Sequence, residues 1–238
     1  MLTITTFDWV PEMPRGYVRD IRPRWACEEA GLPYTVDTVP LMPKSDAHFA
    51  RQPFGQVPML KDGDGDDAVD VFESGAILLY LAGKSDKLMP TDPKGAADVL
   101  KWTISALNSV EMWTMPWQMA VVFRKDAKAA DAAAGIMHKR LEQLENEMAG
   151  REFIAAGRFS IADILVADVL RIVRDEGGLD EHPGLMAYLD RMLARPAFRK
   201  VHQEQVAQFE AATPPKDADR LRPGADGVEK TDEQDAAT

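Results

Sequence analysis

The N-terminal part of the chain alternates short β-type runs with one helical stretch. β-branched residues dominate Leu2 to Phe7, and apolar and polar side chains alternate from Tyr34 to Val39. Between these runs, helical spacing covers Ile21 to Ala30 and is stopped by Gly31 and Pro33. The pattern therefore predicts a strand, a helix and a second strand in that order.

A second group of short elements follows. Strands are predicted over residues 58–61 and 69–72, and the acidic, glycine-containing segment 62–66 between them is a hairpin signal. A helix is predicted from Ser74 to Ala82. Strands that alternate with helices in this order predict an α/β thioredoxin-like domain over residues 1–83.

Beyond a linker at residues 84–94 the pattern is helical throughout and predicts an all-α C-terminal helical domain over 95–211. The periodic stretches are 96–122, 128–149, 160–175 and 184–194. Pro116 should kink or interrupt the first of them. Residues 212–238 are polar and rich in alanine and glycine, so we expect a disordered or loosely attached tail.

Composition narrows the function classes. The 238 residues carry 28 basic and 39 acidic side chains, a formal charge of −11. This charge argues against nucleic acid or an anionic membrane as a partner, although Arg15, Arg19, Arg22 and Arg24 should form a local basic patch. The single cysteine, Cys27, excludes an intramolecular disulfide and is expected to be a buried apolar residue. Neither a signal peptide nor an apolar run of about 20 residues is apparent, so a cytoplasmic location is expected.

No metal site is expected. The acidic hairpin from Asp62 to Asp66, with Glu73 further on, partly imitates a calcium loop. Asp67 stands where that loop needs glycine, and the flanking helices are missing. The four histidines show no metal-ligand spacing.

Two short motifs carry the candidate chemistry. Pro58 opens an apolar run in Gln56-Val57-Pro58-Met59-Leu60, and proline belongs at the first residue or the edge of a strand. The acid–hydroxyl pair Glu73-Ser74 opens the apolar helix that follows, where free backbone N–H groups attract anions. Together these motifs predict a strand edge and a helix N-terminus that converge on a small, charged, peptide-like ligand.

This pair of motifs resembles the glutathione-binding signature of the cytosolic glutathione S-transferase family. The resemblance implies that Val57, before a cis-proline at Pro58, holds the cysteinyl part of glutathione through its backbone. It also implies that Glu73 and Ser74 grip the γ-glutamyl carboxylate and amine, and that Gln56 meets the glycyl end. It covers roughly residues 1–205.

A feature of the helical half supports the same resemblance. Ser160-Ile161-Ala162-Asp163 is a capping box in which aspartate replaces the usual Glu or Gln, flanked by Phe159 and Ile164 as a hydrophobic staple. This box resembles the folding box of the transferase C-terminal domain. Arg195-Pro196-Ala197-Phe198, which we expect to end a helix, is also typical of that region.

The resemblance implies an enzyme that uses glutathione as co-substrate, without a metal, and that promotes attack of its thiolate on a small apolar electrophile. It also implies a homodimer and a role in detoxification. Two alternatives stay open, namely a glutathione-binding protein with little catalysis and a transferase-fold scaffold or regulatory module. Intact Gln56, Val57, Pro58, Glu73 and Ser74 argue against the scaffold.

Three residues are candidates for the group that activates the sulfur. A free thiol has a pKa near ~8.5, so a donor at a helix N-terminus is needed to favour the thiolate. The end of the first strand carries no tyrosine, and no serine or cysteine precedes Cys27. Counting back from the pair Glu28-Glu29 places Tyr17 at the family's serine position, with Arg15 and Arg19 as cationic alternatives.

Two further expectations concern the surroundings of the sulfur. Asp20 should cap the first helix, because a start near Ile21 puts Pro23 harmlessly in the first turn. The aromatic and thioether-rich segment 113–119 is expected to line the electrophile pocket, with Trp9, Trp113 and Trp117 as its candidates. Ordinary packing between helices would explain the same segment equally well.

Overall fold

The structure, a computed structural model, describes residues 1–216 and 218. Its N-terminal half contains a four-stranded sheet and three helices. In chain order these are β1 (Leu2–Phe7), α1 (Ile21–Ala30), β2 (Tyr34–Val39), α2 (Asp46–Arg51), β3 (Met59–Asp62), β4 (Val69–Phe72) and α3 (Ser74–Ala82), with a 3₁₀ turn (Gly65–Asp67) between β3 and β4. The strand order is β2-β1-β3-β4, with β1 parallel to β2 and β3 antiparallel to both of its neighbours.

The second half is helical. Its helices are α4 (Pro93–Ser105), α5 (Met112–Gln118), α6 (Ala127–Met148), α7 (Ile161–Asp175), α8 (Pro183–Leu193) and α9 (Pro196–Ala211). A small mixed sheet domain followed by helices confirms the predicted fold class. No helix among residues 1–216 and 218 is long and apolar enough to cross a membrane.

Pro116 does not interrupt its helix. It lies inside α5, and π-helical turns at Ala106–Glu111 and Met119–Arg124 continue the helix on either side. Proline removes one backbone donor and crowds the preceding turn, and the wider π turns accommodate such irregularities. The interruption is therefore wrong, and one irregular helical element runs from residue 93 to residue 124.

Two helices differ from the sequence expectation. The segment between β2 and β3 contains the short helix α2, whose start is capped by Ser45 accepting from the His48 amide at 3.1 Å. Helix α8 ends at Leu193, just before Arg195 and Pro196 as expected, and Pro196 also begins α9, because proline suits the first helical position. The predicted tail lies almost entirely outside the described residues.

Helix α1 packs against the helical half through buried aromatic residues and an ion pair. Trp25 of α1 is fully buried, with Phe159 and Phe198 at ring-centroid distances of 6.0 and 4.8 Å. Arg195 pairs in a fork with Glu29 of α1, through N–O distances of 2.6 and 2.8 Å. Such bidentate pairs fix orientation as well as contributing energy, so α1 is held firmly against the helical half.

The predicted capping box at the start of α7 is confirmed. Ser160 and Asp163 exchange side-chain-to-backbone bonds. Asp163 also accepts from the Ile154 amide at 2.9 Å and from the Tyr188 hydroxyl at 3.0 Å. Burial raises the pKa of Asp163 to about 6, and these hydrogen bonds only partly oppose that increase.

Candidate active site

Strand register brings the two sequence motifs together. Met59 of β3 lies opposite Phe72 of β4 in the antiparallel ladder. Pro58 precedes Met59 and Glu73 follows Phe72, so the two motifs lie side by side at one end of the hairpin. The Val57–Pro58 peptide bond is cis. The structure therefore forms the convergence of strand edge and helix N-terminus that the sequence predicts.

Glu73 has a strained backbone at this junction. Its φ is 69° and its ψ is 121°, outside the helical conformation of the residues that follow. A positive φ is uncommon for a residue with a Cβ, and such strain concentrates at functional sites. The Glu73 side chain is exposed, while its carbonyl oxygen accepts the first bond of α3 from the Ile77 amide at 2.9 Å. The carboxylate is thus presented to solvent beside the helix start.

Ser74 is the first residue of α3 and is buried. Its hydroxyl oxygen accepts a hydrogen bond from Nη1 of Arg22 at 3.0 Å. The first amides of a helix lack intrahelical partners and favour anions, so this end of α3 is suited to a carboxylate.

Arg22 is a site residue that the sequence analysis did not identify. It is only 2 % exposed and donates to Asp168 at 2.6 Å and to Glu111 at 2.7 Å, both in the helical half. Burial opposes the charge of Arg22, but Glu111 and Asp168 outweigh it and raise the pKa of the guanidinium. The predicted basic surface patch is therefore wrong for Arg22 and for Arg24, which is equally buried and pairs with Asp20 at 2.7 Å.

The carboxylates around Arg22 have arginine partners of their own. Arg19 donates to Glu111 at 2.8 Å, and Arg171 forms a fork with Asp168 at 2.7 and 3.0 Å. Burial alone would raise the pKa of Asp168, but the charges of Arg171 and Arg22 outweigh it and lower that pKa. One sequence signal was available, since Asp168 and Arg171 interrupt the apolar run of α7 at a spacing of three residues.

Two side chains contact the backbone of Gln56, one from α2 and one from Gln52, which follows α2. Gln52 is buried and its side-chain oxygen accepts from the amides of Phe54 and Gln56, at 2.7 and 3.1 Å. Nε2 of His48, also buried, lies 2.9 Å from the Gln56 carbonyl oxygen. These contacts fix the approach to Val57 and leave the Gln56 side chain exposed.

The β1–α1 loop, residues 8–20, packs against α9. Gln205 donates from Nε2 to the Val18 carbonyl at 2.9 Å and to the Asp20 carboxylate at 2.8 Å. Asp20 does occupy the N-cap position of α1, as predicted, but its side chain bonds to no amide of that helix. A Cβ at Gly16 would come within 2.7 Å of His202, so only glycine allows this close approach. The loop is therefore positioned by the C-terminal helix.

A cavity of about 380 Å³ opens beside Val57. Most of its wall is apolar, and Tyr17, Arg19, Lys44 and Gln56 add polar groups. Its apolar lining consists of Phe7, Val10, Pro11, Met13, Pro14, Val18, Leu41, Gly55, Val57 and Phe123. The structure thus brings Tyr17 and Arg19 together with Gln56 and Val57, as predicted.

The Tyr17 hydroxyl is engaged elsewhere in this arrangement. It donates to the Asp175 carboxylate of α7, and the Arg171 guanidinium lies 4.6 Å from the centre of its ring. Burial and the bond to Asp175 raise the pKa of Tyr17 to about 12. A phenol with a raised pKa is a weaker hydrogen-bond acid toward a thiol.

The remaining predicted residues do not line this cavity. Arg15 and Trp9 line a second cavity, formed by the β1–α1 loop with Glu210, Ala212, Pro214, Pro215, Lys216 and Ala218. Trp113 is half-buried beside Arg140, and Trp117 is buried next to Val173 and Gly178. Trp117 therefore packs between helices. The cavity beside Val57 has Phe7 and Phe123 in its wall and, among the described residues, no tryptophan.

Cys27 is fully buried, as predicted, and burial raises the pKa of its thiol to about 12. The thiol form dominates near neutral pH, so Cys27 is unsuited to act as a nucleophile. Within residues 1–216 and 218, no group of three or more His, Cys, Asp or Glu side chains could hold a metal ion.

Sequence comparisons identify the family. The profile for the glutathione S-transferase N-terminal domain matches residues 21–84, and the profile for its C-terminal domain matches residues 100–196. Glutathione S-transferase F11 of Arabidopsis thaliana is 31% identical over 180 residues, which cover 70% of this chain and 82% of that protein. This chain belongs to the glutathione S-transferase family.

Other relatives agree with this assignment. Probable glutathione S-transferase GSTF2 of Oryza sativa subsp. japonica is 31% identical, covering 73% of this chain and 86% of that protein. A glutathione transferase from Pseudomonas putida, solved with one glutathione disulfide bound per subunit, superposes with a TM-score of 0.73. It shares 24% identity and covers 85% of this chain and 90% of its own, so it supports the fold. The predicted family is confirmed.

Proposed function

We propose that this glutathione transferase binds glutathione between the Val57–Pro58 bond and the N-terminus of α3. The observation that carries the proposal is the register of β3 and β4, which puts Pro58 beside Glu73. The Val57 backbone would hold the cysteinyl part, and Glu73 and Ser74 would hold the γ-glutamyl amine and carboxylate. Gln56 would contact the glycyl end.

Arg19 is the best-supported partner of the glutathione sulfur. It lines the cavity beside Val57 and its side chain is 40% exposed, whereas the Tyr17 hydroxyl is bonded to Asp175. Arginine carries five N–H donors, and Arg19 uses one of them on Glu111. A nearby cation favours the thiolate, so Arg19 would lower the pKa of the bound thiol. Tyr17 would then pack against the substrate with its ring.

The cavity beside Val57 would receive the electrophile. Its volume of about 380 Å³ and its mostly apolar wall fit a small apolar molecule. Met13 and Phe123 offer polarizable surfaces that tolerate different shapes. In this proposal Trp9, Trp113 and Trp117 support the surrounding structure and do not contact the electrophile.

A calorimetric titration with glutathione near neutral pH tests the proposal. It is done in two buffers of different ionisation enthalpy, so that proton release is measured together with affinity. We expect binding with release of a substantial fraction of a proton. Binding without proton release would favour a glutathione-binding protein with little catalysis, and no binding would leave the scaffold alternative.

The homodimer and a cytoplasmic role in detoxification are also part of this proposal. Exposed apolar side chains on β4, on α4, at the start of α5 and in the loop after α2 support association. They are Phe54, Phe72, Leu100, Ile104 and Met112. Light scattering after size exclusion tests the dimer. Phe54, with 65% of its surface exposed, is the position where substitution by glutamate should shift a dimer toward monomer.

A further inference from the structure

The cluster of charged side chains around Arg22 would be electrically neutral without Arg22. Its two carboxylate partners are each bound by another arginine, Glu111 by Arg19 and Asp168 by Arg171. Counting these groups gives three guanidinium cations and two carboxylates. The cluster therefore carries one positive charge in excess, and Arg22 is the cation at its buried centre.

The excess cation is directed toward the start of α3. Nη1 of Arg22 lies 3.0 Å from the Ser74 hydroxyl oxygen. Because a guanidinium group has donors and no acceptor, this bond runs in one direction only, from Arg22 to Ser74. The oxygen of Ser74 accepts, and its hydrogen remains available to donate to another group.

We infer that Arg22 is a positioning residue that makes the Ser74 hydroxyl a hydrogen-bond donor toward the γ-glutamyl carboxylate. This inference rests on the proposed function. Burial of Arg22 strengthens its electrostatic effect, because the surrounding medium screens the charge less than water does. The unpaired amides at the N-terminus of α3 add to the same preference for an anion.

The test compares two buried arginines of α1. Arg22→Lys keeps a positive charge but cannot maintain the fork that reaches Ser74, Glu111 and Asp168 together. Arg24→Lys is the matched control, since Arg24 is equally buried on the same helix but pairs with Asp20. Glutathione affinity is measured by calorimetry and thermal stability by circular dichroism. We expect Arg22→Lys to weaken binding about tenfold or more, the effect of losing a hydrogen bond to a charged group, and Arg24→Lys to change it less than about twofold.

A second ligand separates positioning from general damage. The analogue γ-aminobutyryl-cysteinyl-glycine keeps the amine and lacks the carboxylate that Ser74 would bind. The unaltered protein should bind this analogue more weakly than glutathione, and Arg22→Lys should add little further loss. Where Arg22→Lys does not fold, Arg22→Gln replaces it, because both carboxylates keep their own arginines.

Each outcome has a distinct meaning. Equal losses for glutathione and the analogue, or equal effects of Arg22→Lys and Arg24→Lys, would overturn the role of Arg22 while leaving glutathione binding intact. No binding of glutathione by the unaltered protein would overturn the proposed function, and the role of Arg22 with it. A loss specific to Arg22 and to the carboxylate-bearing ligand is the supporting result.

Discussion

Tyr17 donates its phenolic hydrogen to Asp175, which is 158 positions later in the chain and at the end of α7. The bond ties the β1–α1 loop to the helical half at the edge of the cavity beside Val57. Tyr17 is the only tyrosine of that loop, and Asp175 competes with a bound sulfur for its hydroxyl hydrogen. Two explanations of how a bound thiol would ionise therefore have to be compared: a hydrogen bond from Tyr17 and the positive charge of Arg19.

Tyr17→Phe and Arg19→Met distinguish these explanations. With the phenol committed to Asp175, we expect Tyr17→Phe to leave the pKa of the bound glutathione thiol nearly unchanged. Removing the Arg19 charge should raise that pKa by about one unit, which corresponds to about 1.4 kcal/mol. The thiolate is followed by its ultraviolet absorbance as the pH is raised. A large increase in Tyr17→Phe alone would return the sulfur to the tyrosine.

Glu73→Gly should separate stability from binding. Glycine adopts a positive φ without strain, and relief of about 1–3 kcal/mol should offset the entropy cost of about 0.5–1 kcal/mol. We expect the free energy of unfolding, measured with urea, to stay equal or to rise by about 1 kcal/mol. Glutathione affinity should fall, because the exposed carboxylate is lost. Glu73→Gln, which keeps the strained backbone, is the control and should show the weaker binding without the gain in stability.

Asp168→Asn should destabilise the fold strongly. The substitution leaves Arg22 and Arg171 buried with one carboxylate fewer, and breaking such buried pairs costs about 3–5 kcal/mol. Urea unfolding measures the loss. Glu147→Gln removes the carboxylate of an exposed pair with Arg151 and should cost less than about 1 kcal/mol. Equal losses in the two variants would show that the buried cluster contributes little.

Asp163 should make stability depend on pH. Its pKa is raised to about 6 in the folded protein, so the folded state binds the proton more tightly than the unfolded state does. Stability from this group is therefore complete below pH ~4 and is lost as the pH rises through ~6, an effect of about 2–3 kcal/mol.

Asp163→Asn removes the titration and provides the comparison. At pH ~4 the folded protein holds Asp163 as the neutral acid, which resembles the asparagine amide of the variant. Ionisation of Asp163 should therefore contribute least to the difference in unfolding free energy between the two proteins at this pH. Between pH ~4 and ~7, the stability of the unaltered protein should fall relative to the variant. A difference that stays constant across this range would contradict the raised pKa.

Local signals explain the parts of the fold that the sequence predicted well. Gly31 and Pro33 end α1, and the Ser160–Asp163 box begins α7. Each of the two motifs that resemble the glutathione-binding signature is a short unbroken run of residues. The short helix α2 was missed because six residues give too little periodicity.

The missing parts of the site depend on distant pairs. Arg22 and Asp168 are separated by 146 positions, and nothing in either neighbourhood specifies the other. A related reason explains why Trp9, Trp113 and Trp117 do not line the cavity beside Val57. Which face of the segment 106–124 meets the cavity depends on two π-helical turns, and Pro116 signals an irregularity without specifying their positions.

Arg22 also bears on how the two halves of this family can be recombined. Its donors are divided between a hydroxyl of the sheet domain and two carboxylates of the helical domain. A chimera that joined residues 1–83 to the helices of a relative would inherit Ser74, but the geometry of Arg22 would depend on foreign residues at positions 111 and 168. Transfer of the proposed glutathione site to a chimera would therefore also require two acidic residues of the helical half, Glu111 and Asp168.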